Sequence, residues 1–284
     1  MKIIQSFVVL SFLLAAPASF ALIKAYDFQS RGFVSLELLA KKLSPQGQYV
    51  LGEFHYDEKI QLAQSQFIKA VVTEHQQESH FTVSWEFLNY TDHDKIQTLF
   101  NNYKLDNISG LDFLKSVNQE NGASYLPIIK MTKDLNGFFN GVNAPREIKR
   151  EIRINGIGSV DPQYIPPNMT MGSDKYFKRF KKAMGGHVDE DELMGYFTAQ
   201  CYTDSVMAYY LNQFSTSPLK FLVVGSFHSD FKLGTVASLN RLSSMPVISL
   251  KFVNKKKLTD DEWNQLLLPS SEFGKIADYL IITE

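Results

Sequence analysis

The sequence carries one cysteine in 284 residues, Cys201. That excludes an internal disulfide framework and any zinc or iron–sulfur site built from cysteines. Charge of a dominant sign is also missing: 29 Lys and Arg stand against 30 Asp and Glu, a formal net charge of −1. A dedicated nucleic-acid binder would carry a basic excess, so no nucleic-acid partner is expected. There is no internal repeat and no low-complexity tract. Neither an H-E-x-x-H helix nor a G-x-S-x-G elbow occurs, which leaves the standard zincin and serine-hydrolase readings without support. What is present is an ordinary globular composition, 44% hydrophobic and 21% charged. Its length suits one large α/β domain or two small ones. Any chemistry must rest on His, carboxylates, Tyr and Met.

The first 21 residues read as a targeting segment. Lys2 gives a positive start, residues 3–16 an apolar stretch, and Ser19-Phe20-Ala21 a small-x-small cleavage signal. The stretch is too short for a comfortable membrane span. Residues 22–284 then form a single exported domain, with a periplasm as the expected compartment. An uncleaved anchor is the alternative. No cysteine lies near the cleavage site, so lipid attachment there is excluded.

Strand-like and helix-like patterns alternate along the rest of the chain. Strands are expected at 48–54, 81–88, 138–142, 221–225, 246–252 and 279–283. Helical periodicity covers 57–77, 91–103, 110–117, 126–135 and 189–214, and Pro145 suits the first turn of a further helix. This alternation predicts an α/β fold: a mainly parallel sheet flanked by helices on both faces. Residues 155–186 break the rhythm with Asn155-Gly156-Ile157-Gly158, three prolines and Gly185-Gly186. They read as an inserted, partly helical flap.

Polar residues gather where the apolar strands end. Glu53 and His55, two apart, point to the same side of one strand. Glu86 ends the next, Asn143 and Arg146 follow the third, and His228 follows the fourth. Ligands of parallel α/β sheets bind beyond the carboxyl ends of the strands, so these residues should share one rim. Helix capping or salt bridging explains any one of them alone, but explains the recurrence less well. On the long helix, Tyr196, Gln200 and Asp204 are spaced by four and form a stripe beside an apolar face of Leu193, Phe197, Cys201 and Ala208. His187 stands just before that helix as a cap or a ligand. Cys201 reads as a small core residue.

With these residues in place, the sequence resembles the ChaN-like haem-binding uptake family, within the wider Tiki and erythromycin-esterase-like group. Gly52-Glu53-Phe54-His55 resembles the family's G-E-x-H, and Glu86-Phe87 its G-M-E-M-F. Tyr125-Leu126-Pro127, the run Val142-Asn143-Ala144-Pro145-Arg146-Glu147-Ile148, Ala199-Gln200 with Asp204, and Val224-Gly225-Ser226-Phe227-His228 follow in order. Phe227 departs from the pattern, standing where the family usually has Gly, and Ser84-Trp85 replace Gly-Met before Glu86. The resemblance implies haem binding linked to iron uptake or storage.

Haem needs an axial ligand, an apolar surface and cations for its propionates. The resemblance suggests His55, Tyr56, Glu86, Arg146, Tyr164, Tyr176, His187, Gln200, Asp204 and His228 for the cofactor, with Tyr164, Tyr176 and His187 as candidates for the iron. The flap adds Met169, Met171, Phe177, Phe180 and Met184, interleaved with Lys175, Lys178, Arg179, Lys181 and Lys182. These basic residues also fit the solvated face of an amphipathic helix. An aromatic flap would let two chains share a flat ligand, so a homodimer is expected, and an outer-membrane receptor or transporter is a possible partner. The alternative is a peptidase or esterase using Glu53, His55, Glu86 and His228 as general acid and base, or as ligands of a divalent metal. A third reading is an interaction module with a degenerate site, motivated by the changes around His228.

Overall fold

The computed structural model describes residues 23–167, 169–186 and 189–284. The targeting segment expected at residues 1–21 and the candidate ligand His187 lie outside the described residues. The chain runs β1 (Lys24–Asp27), β2 (Gly32–Ser35), α1 (Leu36–Lys42), β3 (Gly47–Glu53), α2 (Glu58–Glu74) and β4 (Phe81–Asn89). It continues through α3 (His93–Lys104), α4 (Gly110–Ser116), α5 (Leu126–Asp134), β5 (Phe138–Asn143), α6 (Arg146–Asn155) and α7 (Asp174–Met184). It ends with α8 (Glu190–Gln213), β6 (Leu219–Gly225), α9 (Gly234–Leu242), β7 (Val247–Asn254), α10 (Asp260–Leu266) and β8 (Tyr279–Thr283).

The strands form one sheet in the order β2-β1-β8-β7-β3-β6-β4-β5. From β8 to β5 every pairing is parallel, while β1 adds an antiparallel edge between β8 and β2. The parallel part matches the sequence expectation. Because β3 and β6 are central, both are buried along their whole length, as strands covered on two faces must be. Alternation sorts their side chains. Tyr49, Leu51, Phe221 and Val223 pack under α1, α2 and α5, and Val50, Leu222 and Val224 pack under α8 and α9. Each such side chain removed from water contributes roughly 1.5–3 kcal/mol, so the rim rests on a rigid base.

All the parallel strands finish on one edge. There the pairing of β3 with β6 puts Glu53 opposite Gly225. The β4–β5 ladder loses register between Trp85 and Asn89, which frees Glu86 and Phe87 from regular pairing. Gly141 of β5 permits this irregularity: a Cβ there would lie 2.6 Å from the Leu88 Cβ and 2.8 Å from the Asn89 carbonyl oxygen.

The interval read as a flap contains α6's last residue, short 3-10 turns and α7. Its glycines turn the chain, with Gly156 at φ 81°, Gly185 at 64° and Gly186 at 74°, conformations that cost glycine little. The segment is docked, however. Tyr176 and Phe180 of α7 are buried with Leu193, Phe197 and Cys201 of α8. Ser173 caps α7 by accepting from the Tyr176 N–H at 3.3 Å.

Candidate functional site

Two constellations stand side by side on the rim. The first is closed. Glu86 Oε2 accepts the Gly225 N–H at 2.5 Å, and its Oε1 lies 3.3 Å from His228 Nε2. The other ring nitrogen, Nδ1, is 2.7 Å from Asp204 Oδ1 and 3.0 Å from the Gln200 amide. Asp204 also accepts from Thr235 Oγ1 at 2.7 Å and, on Oδ2, from the Tyr176 hydroxyl at 2.7 Å. Burial opposes a charge on His228, but the carboxylates of Glu86 and Asp204 outweigh it and raise its pKa to about 10. Burial likewise opposes ionised Glu86, and the His228 charge with the Gly225 N–H outweighs it, lowering the pKa to about 2. The group is therefore a fixed imidazolium between two carboxylates across the neutral range. It has no free lone pair with which to take a proton or a metal ion.

The second constellation is open. Glu53, 2% exposed, accepts from Gln61 Nε2 at 2.9 Å, from the Tyr125 hydroxyl, and from His55 Nδ1 at 3.0 Å. A carboxylate so supplied with donors is held in one orientation and fixes the His55 ring with it. The His55 side chain is 35% exposed. Burial lowers its pKa, and the hydrogen bond to Glu53 with the charge of Glu86 more than reverses this, so the net shift is upward. A Cβ on Gly225 would stand 2.7 Å from His55 Nε2, so only glycine admits the ring here. Tyr56 follows with φ 60°, a left-handed conformation that costs a tyrosine energy and is typical of functional turns. It is 49% exposed, and its ring leans on Phe87 with centroids 5.4 Å apart. His55 approaches the same Phe87 at 4.7 Å. The result is an aromatic shelf with an imidazole and a phenol at its solvent side.

The sequence-predicted residues separate across these two groups. Glu86, Gln200, Asp204 and His228 assemble as the closed cluster, and Glu53, His55 and Tyr56 as the open one. Tyr176, expected as an iron ligand, is inside: its hydroxyl donates to Asp204, and burial followed by that carboxylate's charge pushes its pKa well above the ordinary value. Its place makes it a support for Asp204, with no face toward a ligand. Tyr164 is on a 3-10 turn, 39% exposed, with its carbonyl held by the Tyr202 hydroxyl at 2.9 Å. Tyr196 leaves the stripe it shares with Gln200 and accepts from Arg153 of α6 at 2.7 Å. Arg146 is exposed at the start of α6, whereas Lys149, one turn on, bends in to donate to Asn143 Oδ1 at 3.2 Å and feels the charge of Glu86.

Sequence reasoning missed Gln61, Tyr125, Lys149 and Thr235. Lys149 had a signal, since three residues from Arg146 it shares a helix face. Tyr125 lay inside a recognised motif but had no role assigned. Of the flap cations, Lys178 pairs with Glu272 at 2.5 Å, Lys181 with Glu190 at 3.4 Å, and Arg179 donates to the Phe227 carbonyl at 2.8 Å. The departure at Phe227 has a physical account: its ring lies 4.2 Å beneath the Arg179 guanidinium and against Phe180 and Tyr176. Among the described residues, no group of three or more His, Cys, Asp or Glu side chains is placed to hold a metal ion. The divalent-metal alternative is unsupported.

The sequence profile described as haem-binding uptake, Tiki superfamily, ChaN matches residues 39–239. No curated protein matches the chain. Among solved structures, ChaN of Campylobacter jejuni, described for its cofacial haem binding, superposes with a TM-score of 0.71 at 18% identity. That match covers 92% of this chain and 97% of the other. A mutant erythromycin esterase in its open conformation superposes at a TM-score of 0.50 and 9% identity, over 92% and 97%. At such identities the likeness is one of fold.

Proposed function

The chain belongs to the haem-binding uptake family of the Tiki superfamily, and from that premise we propose that it binds haem at the open half of the rim and serves haem uptake or storage as an exported protein. The observation that carries the location is the aromatic shelf of Tyr56 and Phe87, with the partly exposed His55 ring and half-exposed Tyr56 beside a rigid Glu53. The residues present fit the group. An exposed imidazole and phenol offer iron donors, the shelf offers an apolar face, and Lys149 with Arg146 offers cations on the neighbouring strand end. When bound, haem supplies an iron with open coordination and two propionates. The chain's own part is to orient: Glu53 fixes the His55 ring through Nδ1 and leaves Nε2 as its uncommitted nitrogen.

Hydrolysis is the less favoured reading. Of its candidate bases, His228 is locked between Asp204 and Glu86, and among the described residues no ligand set for a metal is assembled. Export rests on Lys2, the apolar residues 3–16 and Ser19-Phe20-Ala21. A homodimer sharing the ligand is part of the proposal, supported by exposed Tyr164 and Met171 on the flap side and by the cofacial binding described for the Campylobacter protein. A receptor or transporter is the partner such a role requires.

Titration of the purified protein with haemin tests the reading. A saturable, shifted Soret band is expected, altered in shape by Tyr56→Phe or His55→Ala and unaltered by Tyr176→Phe. Absence of any saturable spectral change would overturn it.

A further inference from the structure

Phe54 alternates with Glu53 and His55, so it points to the opposite side of the rim. It is 58% exposed and stands at the mouth of a cavity of about 820 Å³ bounded by α7, the 227–231 turn, β7 and the segment around α10. The size is that of a small-molecule site. Its walls are largely apolar, including Phe227, Phe231, Phe273 and Leu266. Among the described residues no His, Tyr, Met or Cys side chain lines it, and it shares no lining residue with the shelf of Tyr56 and Phe87.

The floor is charged and incompletely paired. Lys251 Nζ donates to Asp230 Oδ2 at 3.0 Å, and Arg179 reaches the same oxygen at 3.4 Å. A buried lysine and a half-buried arginine thus share one carboxylate oxygen, and the triplet carries a net positive charge. Of the other carboxylates lining the cavity, Glu262 is taken by Thr259 at the cap of α10 and Glu272 by Lys178. Asp230, itself nine-tenths buried, has its second oxygen, Oδ1, without a hydrogen-bond partner among the described residues. Buried charge is tolerated where it is paired and its lone pairs are satisfied, and here both conditions fall short. A residue set that only stabilised the fold would balance the cations and use both carboxylate oxygens. Lys251 Nζ is also 4.8 Å from the centroid of the Phe54 ring, so the cation lies where the apolar wall meets the floor.

We propose that this cavity binds an amphipathic carboxylic acid, a fatty acid in the simplest case, with its head against Lys251, Arg179 and Asp230 and its tail along the phenylalanine walls. The anionic head supplies the missing negative charge, and the tail covers apolar surface now open to water.

Isothermal titration of the full chain with decanoate tests this, with decan-1-ol as the uncharged control. Saturable one-to-one binding of decanoate is expected, with the alcohol weaker by about tenfold or more, the value of a charge-assisted hydrogen bond in a buried site. Lys251→Met should weaken decanoate by a similar factor while haemin titration stays unchanged. Leu266→Trp, which fills the cavity without touching its charges, should abolish decanoate binding and leave the melting temperature intact. Equal binding of acid and alcohol, equal binding by the wild type and Leu266→Trp, or stoichiometric displacement of decanoate by haemin would each overturn the proposal. A failed haemin titration with decanoate binding intact would overturn the haem reading alone.

Discussion

Two histidines end neighbouring parallel strands and are held by opposite means. His228 is buried, with one nitrogen on Asp204 and the other on Glu86. His55 spends one nitrogen on Glu53 and rests the other beside the Gly225 backbone, in a ring that is partly exposed. Both sit beyond the carboxyl ends of strands, where α/β sheets place ligands, yet only one has an atom to offer. Position on the rim gives access to the site, and the partner count of each nitrogen decides whether a residue acts or supports. The closed cluster ties α8, α9 and β6 together beneath the rim, and the open one receives what arrives there.

The largest expected effect lies on the closed side. Asp204→Ala removes the acceptor shared by His228, Tyr176 and Thr235 and leaves a buried imidazolium with one counterion. Breaking a buried pair by deleting one partner costs about 3–5 kcal/mol, to be read as a lower denaturant midpoint at constant slope. An unchanged midpoint would mean that the cluster is not a structural clamp.

The same cluster sets the pH limits. His228 is raised from 6.5 to about 10, so its stabilisation is complete below 6.5 and is lost as pH rises through about 10. Glu86 is lowered from 4.5 to about 2, so its contribution is complete above 4.5 and is lost as pH falls through about 2. Unfolding free energy measured against pH should fall on both sides of a neutral plateau. His228→Gln should flatten the alkaline limb, and persistence of that limb in the variant would assign it to another group.

On the open side, His55→Ala is expected to cost less than about 1 kcal/mol in stability, because the ring is partly solvated and Glu53 keeps Gln61 and Tyr125 as donors. Haemin affinity should nevertheless drop by about tenfold, the effect of losing one well-placed polar contact. The comparison breaks if His55→Ala unfolds the protein or if His228→Gln alone destroys binding at a temperature where it remains folded.

The parallel sheet was legible because its strands are short apolar runs separated by helical periodicity, as residues 48–54 and 221–225 illustrate. β1 and β2 were not read, since four residues each are too few to display a period, and the pairing of β1 with β8 joins segments far apart in sequence. Spacing by four found Gln200 and Asp204, yet the same rule carried Tyr196 along. Which member of a stripe turns to the site depends on what packs beside it, and Arg153 takes Tyr196. Tyr125 could not be placed for a related reason: its hydroxyl meets Glu53 across 72 residues of sequence, a contact that no local pattern encodes. Cys201 was read as a core residue, and it is one. Its Sγ accepts the Gly172 N–H at 3.2 Å, and burial, the leading cause, pushes its pKa up to about 12.

The smallest expected effect concerns the lysines of α7, where sequence alone left two readings. Lys178 meets Glu272 on an exposed surface, and Lys181 meets Glu190 in the same way. Such pairs contribute about 0.2–1 kcal/mol at most and less in salt. If the haem propionates are met instead by Arg146 and Lys149 beside the shelf, Lys178→Ala and Lys181→Ala should change haemin affinity by less than about twofold, the resolution of ordinary surface substitutions. Lys149→Met should weaken haemin measurably, because its amine is already turned toward Asn143 at the end of β5. The reverse ranking would move the ligand from the shelf of Tyr56 and Phe87 onto α7, making the docked flap part of the site and the rim its support.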